Sequence, residues 1–268
     1  MPAARYRSNS AMFLTVLVCL APPASAQKTH LRVAAASDLV PVLPQIAKAY
    51  EQQAQVGVDL SFGSSGNFFA QIQNGAPFDL FFSADAEFPA RLIQDSLAEP
   101  GSAVVYGVGG LVLWLPPTSK CDPWAERWNC LLEPGVRKVA IANPAHAPYG
   151  RAAVAALEAA HVYDRLRTKL VLGESISQAA QFVQSGNAQA GILASSQVRS
   201  QAMRNGKQWE IPRDDYPSIK QTVVVLKAGK EKSAAADFVR FVVEGPGRTL
   251  LEQFGFQPPP PAPTERHK

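Results

Sequence analysis

Four turns in this chain lead from an apolar, strand-like run into helix-compatible sequence, and nearly all end in hydroxyls, glycines or bare amides rather than cations. They are Val33–Leu39, Leu60–Asn67, Ala142–Arg151 and Leu172–Gln178. Such alternation predicts a mostly parallel sheet covered by helices. The first turn of each helix offers N–H groups with no intrahelical partner and the positive end of a dipole. Several such ends aimed at one spot make an anion site that needs no lysine or arginine. The pattern points to a receptor for a small oxyanion.

The first 26 residues are set aside before any fold reasoning. Arg5 and Arg7 make a basic start, Ala11–Ala21 an apolar stretch, and Ala24-Ser25-Ala26 a small-residue cleavage site. This order reads as a cleaved secretory signal, and the apolar stretch is too short to span a bilayer. Lipid attachment at Cys19 is the lesser alternative, since Val18 before it suits that processing poorly. The 268 residues less these 26 leave 242, enough for two small lobes. Lys+Arg number 26 against 22 Asp+Glu, and two of the arginines fall in the leader, so charge says little about function. No basic run with interleaved aromatics occurs, which argues against nucleic acid.

Cys121 and Cys130 remain in a compartment that permits disulfides. In an unbroken helix from Asp122-Pro123 to Leu132, nine steps of about 1.5 Å would hold them roughly 13 Å apart. A bridge spans no more than about 7 Å between Cα atoms, so the bond requires a bend near Glu126–Trp128. Their spacing fits no common zinc pattern.

Strands are expected at Leu31–Ala36, Val56–Phe62, Phe78–Ser83, Lys138–Ala142, Leu170–Leu172, Ala190–Ala194 and Lys220–Val225. Val104–Pro116 reads as one long strand crossing between lobes. Helices are expected at Pro44–Gln53, Phe68–Asn74, Glu87–Asp95, Arg151–Ala160, Gln178–Ser185, Val198–Asn205, Ala234–Glu244 and Arg248–Phe254, with Gly255 as a C-terminal cap. Pro41 and Pro44 lack an N–H and delay the first helix past an irregular turn. Two crossings imply two hinged lobes: residues 27–107 with 221–257, and residues 108–220. Residues 258–268, rich in proline, read as a disordered tail.

Phe62-Gly-Ser-Ser65, Gly75-Ala-Pro-Phe-Asp79-Leu-Phe-Phe-Ser-Ala-Asp85 and Asn143-Pro-Ala-His146-Ala-Pro-Tyr-Gly150, in this order and spacing, resemble the periplasmic molybdate-binding proteins of ABC transporters. The resemblance covers nearly all of the chain beyond the leader. It implies a type II, two-lobed binding-protein fold that closes on molybdate, and on tungstate with it, for a membrane permease. It implies no cofactor, a monomer in the periplasm, and molybdenum present only within the oxyanion. Carried over residue by residue, Ser37 and Ser65 bind through hydroxyls, and Tyr149 and Ile176 through backbone N–H groups; the backbone of Asp38 is a weaker candidate. The Asp38 carboxylate should turn away from a dianion. Some relatives use a tyrosine hydroxyl where this chain has Ala194, which supplies none.

Blander readings stand beside these. Serine is a common helix N-cap, which alone would account for Ser37 or Ser65. A secreted hydrolase pairing Ser65 or Ser37 with His146 is the competing class, but no Gly-x-Ser-x-Gly, Ser-x-x-Lys or His-Glu-x-x-His is present. His146 is then a structural residue beside the third turn. Asp79 and Asp85 read as turn and cap residues, and Trp124 and Trp128 as cover for the second lobe. Within the binding class, sulfate or a small organic anion is the alternative ligand.

Overall fold

A computed structural model describes residues 29–259. The leader and the end of the proline-rich tail lie outside the described residues. Ten strands form two five-stranded sheets. They are β1 (His30–Ala36), β2 (Gly57–Gly63), β3 (Leu80–Ser83), β4 (Val104–Gly109), β5 (Leu111–Leu115), β6 (Val139–Ala142), β7 (Leu170–Gly173), β8 (Ala190–Ala194), β9 (Lys207–Glu210) and β10 (Ile219–Val225). The first sheet runs β2-β1-β3-β10-β4 and the second β7-β6-β8-β5-β9. In each, the fourth strand alone runs against its neighbours: β10 is antiparallel to β3 and β4, and β5 to β8 and β9.

The first sheet is packed on both faces, and period-two alternation distributes its side chains. Val33, Ala35, Leu80, Phe82 and Val223 face one apolar cluster with Tyr50 and Phe238. Ala34, Phe81 and Val224 face another, with Phe68, Phe69 and Leu92. The second sheet has one large cluster around Leu113, Ile141, Leu157 and Ile192. Sheets buried on both faces require continuous apolar runs, which is why these strands are legible in the sequence.

The expected crossing strand Val104–Pro116 is in fact two strands in different sheets, parted at Gly110. A Cβ on the preceding Gly109 would lie 2.2 Å from the Tyr149 hydroxyl, so glycine here lets the second lobe approach the crossing. The delayed first helix occurs as a 3-10 turn at Ser37–Leu39 followed by a helix over Leu43–Ala54. Gly255 has φ 90° and donates to Glu252 O after the last helix, as a C-terminal cap should.

Cys121 and Cys130 form a disulfide with Cα atoms 5.6 Å apart. The required bend is Arg127, whose φ of 49° separates two one-turn helices, Pro123–Glu126 and Asn129–Leu132. Trp128 packs edge-on against Trp209 and so covers this lobe, but Trp124 is 67% exposed and covers nothing. It occupies N2 of a single-turn helix, whose short length gives its ring no apolar face to lie on. Val198–Asn205 is not a helix; a single turn at Ser195–Val198 precedes irregular chain. The buried Val198 and Met203 stand five residues apart, which matches no helical repeat.

Candidate functional site

The four turns occupy the C-terminal ends of adjacent parallel strands, two in each sheet: β1 and β2, β6 and β7. That edge is where open sheets of this kind bind ligands. Ser37 opens the 3-10 turn after β1. Ser64 caps the helix Ser65–Gln73 by accepting from Asn67 N at 3.3 Å, which leaves Ser65 as its first residue. Pro148 starts the helix Pro148–Ala159, placing Tyr149 second, where its N–H has no partner within the helix. Ser175 caps the helix Ile176–Gln184 and accepts from Gln178 N at 3.3 Å.

Ser37, Asp38, Ser65, Tyr149 and Ile176 all line one small cavity, with Ser64 beside them. Among the described residues, no lysine, arginine or histidine lines it. Larger clefts open at Tyr50 and Arg240 and at His30 and Lys230, but they are surface grooves in which no set of helix N-termini converges. The sequence-predicted residues thus converge, and Ala194, which can supply no hydroxyl, is buried at the end of β8 and is not part of the lining.

The donors in this cavity are specific. Among the described residues, the N–H groups of Asp38, Ser65, Tyr149 and Ile176 donate to no protein acceptor. The Ser65 hydroxyl oxygen accepts from Ala84 N at 2.9 Å, and that of Ser37 accepts from Ser177 N at 3.3 Å. A hydroxyl already occupied as an acceptor keeps its proton to donate elsewhere. Both serines, at 1% and 4% exposure, are therefore oriented as donors in a site nearly free of bulk water.

Contacts between the lobes hold the cavity shut. Ser177 Oγ and Gln197 Nε2 both donate to Ser37 O at 2.8 Å, and Ser196 Oγ donates to Asp38 O at 2.7 Å. Gly66 N donates to His146 O at 2.9 Å, and a Cβ on Gly66 would sit 2.7 Å from that oxygen. On the rim, Arg151 donates to Asp85 Oδ2 at 2.7 Å, forming an ion pair. Burial nevertheless leaves the Asp85 carboxyl above its ordinary range, despite its bonds to Phe88 N and Arg151. Asp85 does cap the following helix through Phe88 N, and Asp79 is a buried acceptor for Arg32 N and Lys230 N, as turn and cap roles require. Ser177, Ser196, Gln197 and the Asp85–Arg151 pair escape the sequence reading because their partners lie 66 to 160 residues away.

Asp38 is fully buried, and among the described residues neither carboxylate oxygen has a hydrogen-bond partner. Burial pushes its carboxyl up to about 7. The Tyr149 hydroxyl, the Gln221 amide and nearby backbone N–H groups draw it partly back, although neither side chain reaches good hydrogen-bonding geometry with it. The Tyr149 hydroxyl instead accepts from Gln221 Nε2 at 3.2 Å, and Gln221 Oε1 accepts from Tyr106 at 2.9 Å. The Tyr149 hydroxyl thus belongs to a buried polar cluster joining the two lobes.

His146 Nε2 pairs with Glu174 at 3.0 Å and makes no hydrogen bond to Ser37 or Ser65. With the serine oxygens engaged by backbone N–H groups, no base is in place to activate either as a nucleophile.

Comparisons with known proteins agree with this geometry. Residues 31–257 match the family described as bacterial extracellular solute-binding protein. A molybdate-binding protein ModA from Rhodobacter capsulatus is 37% identical over 91% of this chain and 93% of its own length. A second ModA, from Azotobacter vinelandii, is 37% identical over 87% of this chain and 91% of its own. The solved structure of the Azotobacter vinelandii periplasmic molybdate-binding protein superimposes with a TM-score of 0.80 at 34% identity, covering 86% of this chain and 100% of that one. A sulfate-binding protein from Mycobacterium tuberculosis superimposes at 0.62 with 20% identity, a likeness of fold alone.

Proposed function

The chain belongs to the molybdate-binding proteins of the bacterial extracellular solute-binding family, and we propose that it captures molybdate, and tungstate with it, between Ser37, Ser65, Tyr149 and Ile176. It is a solute-binding protein and not an enzyme, and its anion is transported cargo rather than a cofactor. The closed, loaded form delivers the anion to the membrane permease of an ABC transporter. Export by the N-terminal leader, with cleavage after Ala26, places it in the periplasm, where it works as a monomer.

One observation carries the ligand reading: apart from the Asp38 carboxyl, the cavity's hydrogen-bonding groups are donors, and none is a cation. Four unpartnered N–H groups and two serine hydroxyls suit an anion that carries two charges and no proton. Phosphate near neutrality brings a proton of its own. Unless an acceptor receives it, burying that proton costs about 1–3 kcal/mol, which weakens phosphate at least about tenfold. Sulfate shares the charge of molybdate but is the smaller tetrahedron, so the fit of the cavity has to tell the two apart.

A thermal-shift series with molybdate, tungstate, sulfate and phosphate tests this. A ligand specific to the native state stabilises by about 4 kcal/mol at a thousand-fold excess over Kd. For a chain of this size that raises Tm by about 8–16 °C. Molybdate and tungstate should produce this shift and sulfate and phosphate far less. A larger shift with sulfate, or none with any of the four, refutes the assignment.

A further inference from the structure

We propose that Asp38 couples capture of the anion to uptake of one proton: lobe closure buries its carboxyl as the neutral acid, and lobe opening returns it to water, where it ionises. The inference rests on the reading of the cavity as the anion site. Asp38 lines that cavity, and its side chain is completely enclosed with both oxygens unpartnered. An ionised carboxylate held so would be a second negative charge, desolvated, beside a bound dianion.

The groups packed around Asp38 come from both lobes. The backbone N–H groups of its own turn and the side chains of Tyr106 on β4 and Gln221 on β10 belong with the first sheet, while Tyr149 and Ser196 belong to helices of the second lobe. Separating the lobes therefore removes Tyr149 and Ser196 and admits water. Among the described residues no cation faces Asp38: Arg213 donates to Gly109 O, and the Tyr216 hydroxyl beyond Tyr149 accepts from Leu111 N. Burial holds the Tyr106 and Tyr149 hydroxyls far above their ordinary range, so both remain neutral and cannot supply the proton. It comes from solvent and is returned when the anion leaves.

The sign follows from linkage. Opening to water lowers the carboxyl toward its ordinary range, whereas in the closed form it titrates at about 7, higher still with a dianion beside it. Between these limits the closed form holds the extra proton. Affinity is therefore greatest at low pH and falls as pH rises, by close to tenfold per pH unit, levelling above the closed-form value.

Calorimetric titration of the full chain with sodium molybdate, in pairs of buffers of unlike ionisation enthalpy, reads the proton directly. At about pH 6 the expected uptake approaches one proton per anion bound, and Kd should rise by about a hundred-fold from about pH 5 to about pH 7. Asp38→Asn should lose both the uptake and its share of the slope. Glu158→Gln, at an exposed carboxyl outside the cavity, should keep both. Tight molybdate binding without proton uptake, or an unchanged slope in Asp38→Asn, overturns the coupling and leaves the anion site standing. Failure of molybdate to bind at any pH overturns both together. Should Asp38→Asn not fold, the proton count on the unmodified chain alone decides.

Discussion

Ser65→Ala separates two consequences of one hydroxyl. In the native chain Ser65 Oγ accepts from the buried Ala84 N at 2.9 Å and points its own proton elsewhere, toward the proposed dianion. Loss of a hydrogen bond to a charged acceptor costs roughly 1.5–3 kcal/mol. That is about ten- to more than a hundred-fold in Kd for molybdate. The same change orphans the Ala84 N–H in the unliganded protein. A buried, unpaired donor costs about 1–3 kcal/mol, and at roughly 2–4 °C per kcal/mol for this size Tm falls by about 2–12 °C.

The neighbouring Ser64→Ala supplies the contrast. Ser64 also borders the cavity, but its oxygen caps Asn67 N at 3.3 Å. Its loss should cost about 1 kcal/mol of stability, the usual value of an N-cap, with affinity changed by less than about threefold because the Ser65 hydroxyl remains. Calorimetric titration with molybdate and a thermal melt of the unliganded protein measure both quantities on each variant. An unchanged Kd in Ser65→Ala, or a larger loss in Ser64→Ala, refutes the assignment of the donor to Ser65.

Two further outcomes follow from the contacts outside the cavity. Arg151→Gln removes the ion pair with the largely buried Asp85, worth about 1 kcal/mol for a partly exposed pair. Stopped-flow release of molybdate should quicken by up to about fivefold, with the on-rate little changed, since the pair acts only after closure. Replacing Cys121 and Cys130 by serine removes a staple worth roughly 2–3 kcal/mol in the chain-entropy model. Tm should then fall by about 4–12 °C while Kd for molybdate stays the same, because the bridged loop does not line the cavity.

Much of the fold is legible because its strands are buried on both faces. Leu80–Ser83 and Val139–Ala142 have no exposed side and therefore read as unbroken apolar runs. Lys207–Glu210 is missed for the opposite reason: with one buried residue, Trp209, it is a strand only because β5 offers an edge to pair with. The helices at Ser65, Pro148 and Ile176 begin two or three residues before the sequence reading places them. Helical periodicity comes from side chains that pack on the sheet. First-turn residues instead face the cavity and follow no apolar repeat, so the boundaries err where the site begins.

The same reasoning explains what could be read of the site. Ser37, Ser65, Tyr149 and Ile176 lie just past four strand ends, so a parallel topology brings them together without any detail of side-chain packing. The elements that close the lobes are different in kind. Ser177 and Gln197 reach Ser37 O, Ser196 reaches Asp38 O, and Arg151 reaches Asp85, each across the cleft. A polar residue on one lobe carries no mark of its partner on the other. Asp38 shows the limit most clearly. Next to Ser37 it reads as a carboxylate that must turn from a dianion, and it does lie among Tyr106, Tyr149 and Gln221. Its complete burial without a partner requires the β4 and β10 crossing strands and the second lobe together. Donors for the anion are thus encoded locally, at helix N-termini, whereas control over when the cavity closes depends on long-range packing.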